Sequence, residues 1–202
     1  MIFLFTDGEE VGLLGARAFV EEHPWARDVG FVFNFEARGT SGPSIMFETS
    51  DNNGWLIRNF AQAASHPVAN SLSYEIYKRL PNNTDFTIFH RAGYAGLNFA
   101  FINRLAYYHT KLDSVENADR GSLQHQGDYV LEMVRHFGNA TSEDSKASNL
   151  VYFDLLGWVL IRYGQSLANS LLVLACILVA SNWGLGLRQK RIRVGDCLLG
   201  LI

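Results

Sequence analysis

Met1-Ile2-Phe3-Leu4-Phe5-Thr6-Asp7-Gly8-Glu9-Glu10 and Gly30-Phe31-Val32-Phe33-Asn34-Phe35-Glu36 decide the reading of this chain. Each is a short apolar run that ends in acidic residues. A run of this length, rich in Phe and Val, is expected as a buried strand. Between them, Val11 to His23 has helical spacing, with Leu13, Leu14, Ala18 and Phe19 as the apolar positions, and Pro24 ends it. The pattern continues with strands expected over 44–48, 73–77 and 95–102. Helices are expected over 55–64, 84–91 and 121–137, the last with Leu123, Val130, Leu131, Val134 and Phe137 as its buried stripe. Strands alternating with helices predict an α/β fold, a central mixed β-sheet flanked by helices on both faces.

Outward from this core the composition shifts. Residues 1–138 read as one domain and residues 139–149 as a polar linker. Residues 150–166 read as an interfacial segment, since Asp154 and Arg162 interrupt their apolar pattern. Leu167 to Leu187 carries no charged residue, and roughly 20 such residues in a helix cross a bilayer core. The alternative is a buried core helix. Arg188-Gln189-Lys190-Arg191-Ile192-Arg193 follows at once, the flank expected on the cytoplasmic side. The domain would then face the vacuole or endoplasmic reticulum lumen, or the periplasm. Residues 188–202 form this flank and the start of a further apolar segment. Because Met1 opens inside an expected strand, coding sequence upstream is expected to be missing.

The whole chain has 48% apolar and 18% charged residues and a net charge of −3. That suits a globular domain with a core and argues against a nucleic-acid partner. Cys176 and Cys197 both lie in the apolar tail, where a disulfide framework is not expected. Asn82 and Asn139 open N-x-Thr sequons that matter only in a lumenal, eukaryotic setting.

Three chemically active segments stand at strand ends: Glu9-Glu10, Glu36, and His109 in the loop after residue 102. In open α/β sheets, sites gather beyond the carboxyl ends of strands. Carboxylates and imidazole are ordinary zinc ligands, and a neighbouring free carboxylate can take a proton from an activated water. Each residue alone has a plainer reading. Acidic pairs suit a helix start, a glutamate at a strand end is ordinarily solvated, and a histidine in a Tyr-Tyr-His-Thr loop is ordinarily on the surface.

Taken together, the segments carry a resemblance. Phe5-Thr-Asp-Gly-Glu9-Glu10-Val-Gly-Leu-Leu-Gly-Ala-Arg-Ala-Phe19 resembles the Glu-Glu segment of the M28 metallopeptidases. Asn34-Phe-Glu36-Ala-Arg-Gly resembles their next ligand segment, and Tyr107-Tyr-His109-Thr-Lys-Leu-Asp113-Ser resembles their final histidine segment. The resemblance covers roughly residues 1–140. With Val151-Tyr-Phe-Asp-Leu-Leu-Gly157 and the apolar tail, it is similar to the membrane-anchored branch of vacuolar membrane proteases and endoplasmic reticulum metallopeptidases. It implies a zinc exopeptidase fold followed by a C-terminal transmembrane helix. It also implies an aminopeptidase-type hydrolase of peptide N-termini using two zinc ions.

In that reading Glu9 is the general base, Glu10 and His109 ligate one zinc, and Glu36 ligates the other. Asp85 and Tyr108 line the substrate cleft, although the Asn83-Thr84-Asp85 segment reads equally well as a helix N-cap. Asp113 orients His109. Peptide and the lipid bilayer are the expected partners. The resemblance also calls for a His-x-Asp segment and a bridging Asp before the Glu-Glu pair, which this chain does not contain. One zinc would keep two of three protein ligands and the other one of three, so the chain as given is expected to bind zinc poorly and be inactive or nearly so. Two other readings stay open: a degenerate membrane-bound binding or scaffold protein, and a one-zinc transferase like the glutaminyl cyclases. A mixed carboxylate and imidazole site can also hold cobalt or manganese.

Overall fold

The computed structural model describes residues 1–138, 140 and 147–189. The sequon at Asn139, most of the linker, Cys197, and the basic run and apolar segment beyond Gln189 lie outside those residues. Two units are present, Met1–Arg162 and one beginning at Tyr163.

The first unit is organised around β3, Ala95–Phe101, in which every residue is buried. A strand covered on both faces can afford almost no polar side chain, and its sequence is apolar except at Asn98. It lies between β1, Phe31–Ala37, and β2, Ile45–Thr49, in the order β1-β3-β2. β1 runs parallel to β3 in unbroken register from Phe31↔Ala95 to Ala37↔Phe101. β2 runs antiparallel to β3, with an irregularity between Met46 and Glu48. The sheet is therefore mixed.

Helices cover both faces. α2 (Gly54–Ala63) and α5 (Arg120–Phe137) pack on one side, where Leu56, Ile57, Phe60, Phe99, Tyr129 and Met133 form a core of almost no solvent exposure. Rings of Phe60, Phe99 and Tyr129 stand 5.3–5.5 Å apart, centroid to centroid. Each such buried side chain contributes roughly 1.5–3 kcal/mol by removal from water. α1 (Leu14–Glu22) and α4 (Asp85–Arg91) form a second, smaller cluster through Ala16, Phe19 and Phe89. α3 (Ser71–Tyr77) packs beside β2.

Several expectations are corrected. Residues 2–5 belong to no strand; they pair with none among the described residues, and Phe3 and Phe5 are exposed. Residues 73–77 are helix, because Asn70 caps the N-terminus by accepting from the Ser73 N–H at 2.8 Å, and Tyr74 is buried. Local capping outweighs the β-preference of Tyr and Ile there. The buried face of α5 is Ser122, Tyr129, Met133 and Phe137, while Leu123 and Leu131 are exposed. The polar tip of Tyr129 hid the true stripe, and Tyr129 turns inward because its hydroxyl accepts from the Val68 N–H and donates to the His66 carbonyl, both at 2.8 Å. In α1, Leu14 and Ala18 are exposed, and Ala16 is buried in their place.

Residues 150–164 form a hairpin of β4, Leu150–Leu155, and β5, Val159–Gly164. Leu156 and Gly157 both take left-handed backbone angles at its tip, the geometry that suits a tight antiparallel turn. Asp154 holds it to the domain: its Oδ1 accepts from the Ala69 N–H at 3.1 Å, and its Oδ2 from the Gly157 N–H at 3.2 Å. Tyr152 and Leu160 are buried.

The second unit contains α6, Gln165–Arg188, 24 residues with none buried. At about 1.5 Å rise per residue it exceeds the roughly 30 Å hydrocarbon core of a bilayer. It is long and apolar enough to cross a membrane.

Candidate active site

The Glu9-Glu10 pair sits in a tight turn just before α1. Gly12 and Leu13 donate to the Glu9 carbonyl at 3.1 and 2.9 Å, and Gly15 donates to that of Asp7 at 2.9 Å. Gly15 has no alternative there, since a Cβ would lie 2.7 Å from the Asp7 carbonyl oxygen. The turn projects Glu10 across a gap of 99 residues in sequence to His109, whose Nε2 lies 2.8 Å from Glu10 Oε1. His109 itself has a left-handed φ of 57°, an uncommon conformation for a side chain of its size. Its ring stacks on Tyr108, centroids 3.8 Å apart, and the Arg38 guanidinium stands 5.6 Å from the Tyr108 ring centroid. The Glu10–His109 pair is exposed, with side-chain exposures of 65% and 55%.

Glu36 arrives from another direction, near the carboxyl end of β1, and it is half-buried. Its Oε1 accepts from Asn34 Nδ2 at 2.9 Å. Asn34 Nδ2 also donates to Asn98 Oδ1 at 2.9 Å, and Asn98 Nδ2 donates to Glu48 Oε2 at 2.8 Å and to Thr84 Oγ1 at 2.9 Å. The amide of the fully buried Asn98 is thereby used from both ends. Burial raises the pKa of Glu36, with the Asn34 hydrogen bond opposing and the charge of Asp85 adding to the rise. Burial likewise raises Glu9, reinforced by the charges of Glu36, Glu10 and Asp85 and opposed by His109. Glu9, Glu10, Glu36, Asp85 and His109 thus form one electrostatic neighbourhood.

Asp85 opens α4 and is 4% exposed. Its Oδ2 accepts from Thr6 Oγ1, while its Oδ1 is buried with no partner among the described residues. Thr84 is the N-cap residue, and its N–H donates to Thr87 Oγ1 at 3.1 Å. Tyr108 lines an open cleft of about 350 Å³ together with Glu9, Glu10, Arg17 and Asn83. Asp113 makes no side-chain bond to His109; the His109 ring bonds only to Glu10 among the described residues. Asn98 and Glu48 went unread as site neighbours. A lone Asn in the apolar run Ala95–Phe101 was the available signal, because a buried amide must have partners.

Carboxylate and imidazole together are donors suited to zinc, and the orphaned Asp85 Oδ1 leaves a further acceptor close by. No group of three potential ligands closes around one point among the described residues, so the donors fit a metal centre but do not complete one.

This architecture is that of an α/β domain with a mixed sheet flanked by helices. The profile of Peptidase family M28 matches residues 1–134, and the chain belongs to that family. It is 33% identical over 188 residues to endoplasmic reticulum metallopeptidase 1 of Mus musculus, covering 88% of this chain and 21% of that protein. It is likewise 33% identical to the Homo sapiens protein of the same name over 188 residues, with the same coverage. The vacuolar membrane protease of Yarrowia lipolytica is 32% identical over 163 residues, covering 80% of this chain and 16% of that protein. The chain spans about a fifth of the length of these relatives. No solved structure matches.

Proposed function

We propose that this chain carries part of the catalytic centre of a membrane-anchored, zinc-dependent aminopeptidase. The observation that supports this most is the convergence of Glu10 with His109 across 99 residues of sequence, with Glu9 and Glu36 beside them. Glu10 and His109 would hold one zinc and Glu36 a second. Bound zinc would supply Lewis acidity toward a peptide carbonyl and an acidified water. Glu9, whose burial and carboxylate neighbours favour its proton-bound form, would accept that water's proton and pass it to the leaving amine. Tyr108 and the cleft beside Asn83 would position the peptide terminus. Asn34 would keep the Glu36 carboxylate turned toward the cleft. α6 would anchor the domain in a bilayer on the non-cytoplasmic side, of the endoplasmic reticulum or a vacuole by analogy with the named relatives.

Three donors are too few for two zinc ions with three protein ligands each, so the 202-residue chain alone would bind zinc weakly and hydrolyse little. That shortage also favours a non-catalytic binding role as the second reading. A zinc titration of the purified chain in detergent, with His109→Ala and Glu10→Gln beside it, tests the metal centre. Loss of about tenfold or more in affinity is expected in each variant. Zinc binding indifferent to both variants would remove the proposed centre. Rapid cleavage of leucyl-nitroanilide by the chain, abolished in Glu9→Gln, would overturn its incompleteness while sustaining the peptidase reading.

A further inference from the structure

Beside the candidate active site lies a second open cavity of about 350 Å³ whose walls include Glu48, Asp51, Tyr74, Tyr77 and Asn83. Asn83 also lines the cleft of Glu9 and Glu10, so the two hollows adjoin at that residue. Its volume falls within the range of small-ligand clefts, roughly 300–1,000 Å³.

The charge of this cavity is poorly balanced. Glu48 is 7% exposed, yet its carboxylate has a single bond among the described residues, Oε2 accepting from Asn98 Nδ2 at 2.8 Å. A carboxylate this buried ordinarily has a cationic partner. Lys78, the lysine of the same cavity, does not serve. Its ammonium is 3.0 Å from Glu75 Oε1 and stands 3.9 Å from the Tyr74 ring centroid. Asp51 adds a second, exposed carboxylate at the wall. The Tyr77 hydroxyl is buried and makes no hydrogen bond among the described residues. Two acids with a buried tyrosine hydroxyl beside them are the features that receive an alkylammonium or guanidinium group through charge-assisted hydrogen bonds.

We infer that this cavity is a specificity pocket for a cationic side chain, so that the preferred substrates are peptides beginning with lysine or arginine. The inference rests on the peptidase reading for its substrate class, while the pocket itself needs neither metal nor turnover. Glu48 is the specificity-determining residue, held in place by Asn98, and Asp51 guides the cation in. Because Asn98 also holds Asn34, and Asn34 the Glu36 carboxylate, the pocket acid and the candidate ligand share one hydrogen-bonded frame.

The test is isothermal titration of the 202-residue chain in detergent and EDTA with L-argininamide and L-norleucinamide. The two probes share the α-ammonium and differ in the side-chain charge. Argininamide is expected to bind about tenfold tighter, the scale of one charge-assisted contact. Glu48→Gln, nearly isosteric, should remove most of that preference. Asp51→Asn, at an exposed position that does not threaten folding, should reduce it about twofold to threefold. Equal binding of the two probes, or a preference unchanged in both variants, overturns the pocket. A clear argininamide preference in a chain whose zinc binding ignores His109 and Glu10 would instead sustain the pocket and sink the peptidase reading.

Discussion

The two halves of the candidate site are built in opposite ways. Glu36 belongs to a frame of two amides, half-buried Asn34 on β1 and fully buried Asn98 on the central strand, braced by Glu48 and Thr84. Glu10 and His109 meet in water, through one contact between a turn and a loop. The first half is fixed by folding, because a buried polar group without its partners is costly. The second is held by a pair whose exposure leaves it worth little, and it gains rigidity only when something binds between its members. A site of this kind has one preorganised wall and one wall that a ligand must order.

Breaking the preorganised wall should give the largest effect. Asn98→Leu strips the buried Glu48 of its one bond and removes the bonds that Asn98 makes to Asn34 and Thr84. Unfolding in urea, followed by near-ultraviolet circular dichroism in detergent, should show a loss of about 3 kcal/mol or more. A loss below about 1 kcal/mol would mean the frame is not what holds this half. Tyr129→Phe is the control within the same buried layer. It removes the hydroxyl that joins the Val68 N–H to the His66 carbonyl, and about 2 kcal/mol should go with it. The loss should appear in stability alone, leaving zinc affinity and the probe preference unchanged, because these bonds tie α5 to a loop and not to the site.

The legibility of the molecule follows the same division. The strands around the sheet, and α2, α4, α5 and α6, were readable because long apolar runs and their periods come from burial itself. The family was legible in the Glu-Glu, Glu36 and His109 segments, which lie within the matched residues 1–134. What was not legible depends on contacts between distant residues. The 73–77 segment became helix through the Asn70 cap, and the hairpin at 150–164 is held by Asp154 reaching the Ala69 N–H. The face of α5 was misjudged because Tyr129 is bonded at both sides of its hydroxyl, and a period count cannot see that. The Glu48 pocket was invisible for the same reason: Glu48 reads as an ordinary strand glutamate until Asn98 is placed beside it.

Glu48 also sharpens the comparison through pH. Burial raises its pKa above the ordinary value near 4.5, the Asn98 hydrogen bond only partly opposing. The folded state therefore holds this proton to higher pH than the unfolded chain does. Its stabilising contribution is complete below the unfolded value and is lost as pH rises through the folded one. At neutral pH the ionised carboxylate is a cost. Glu48→Gln, which keeps an acceptor for Asn98, should raise stability at pH 7 and flatten the decline above pH 4.5. Denaturation midpoints in urea from pH 4 to pH 8 measure it; a variant less stable than the parent at pH 7 would show that the ionised form is already compensated.

The smallest change in stability should come from the exposed wall, and its smallness is the point. Glu10→Ala removes a contact between groups more than half exposed, so the midpoint should move by less than about 0.5–1 kcal/mol. The same substitution removes one of the two donors of the proposed Glu10–His109 zinc position, so the zinc titration should lose tenfold or more. Asn98→Leu should show the reverse proportion, a large loss of stability with the Glu10–His109 contact still intact in the residual folded state. If instead Glu10→Ala unfolded the domain, the turn before α1 would have to be a structural clasp, and the pairing with His109 would need no ligand to explain it. A stability effect near zero together with a large zinc effect fits residues that meet in order to hold something else.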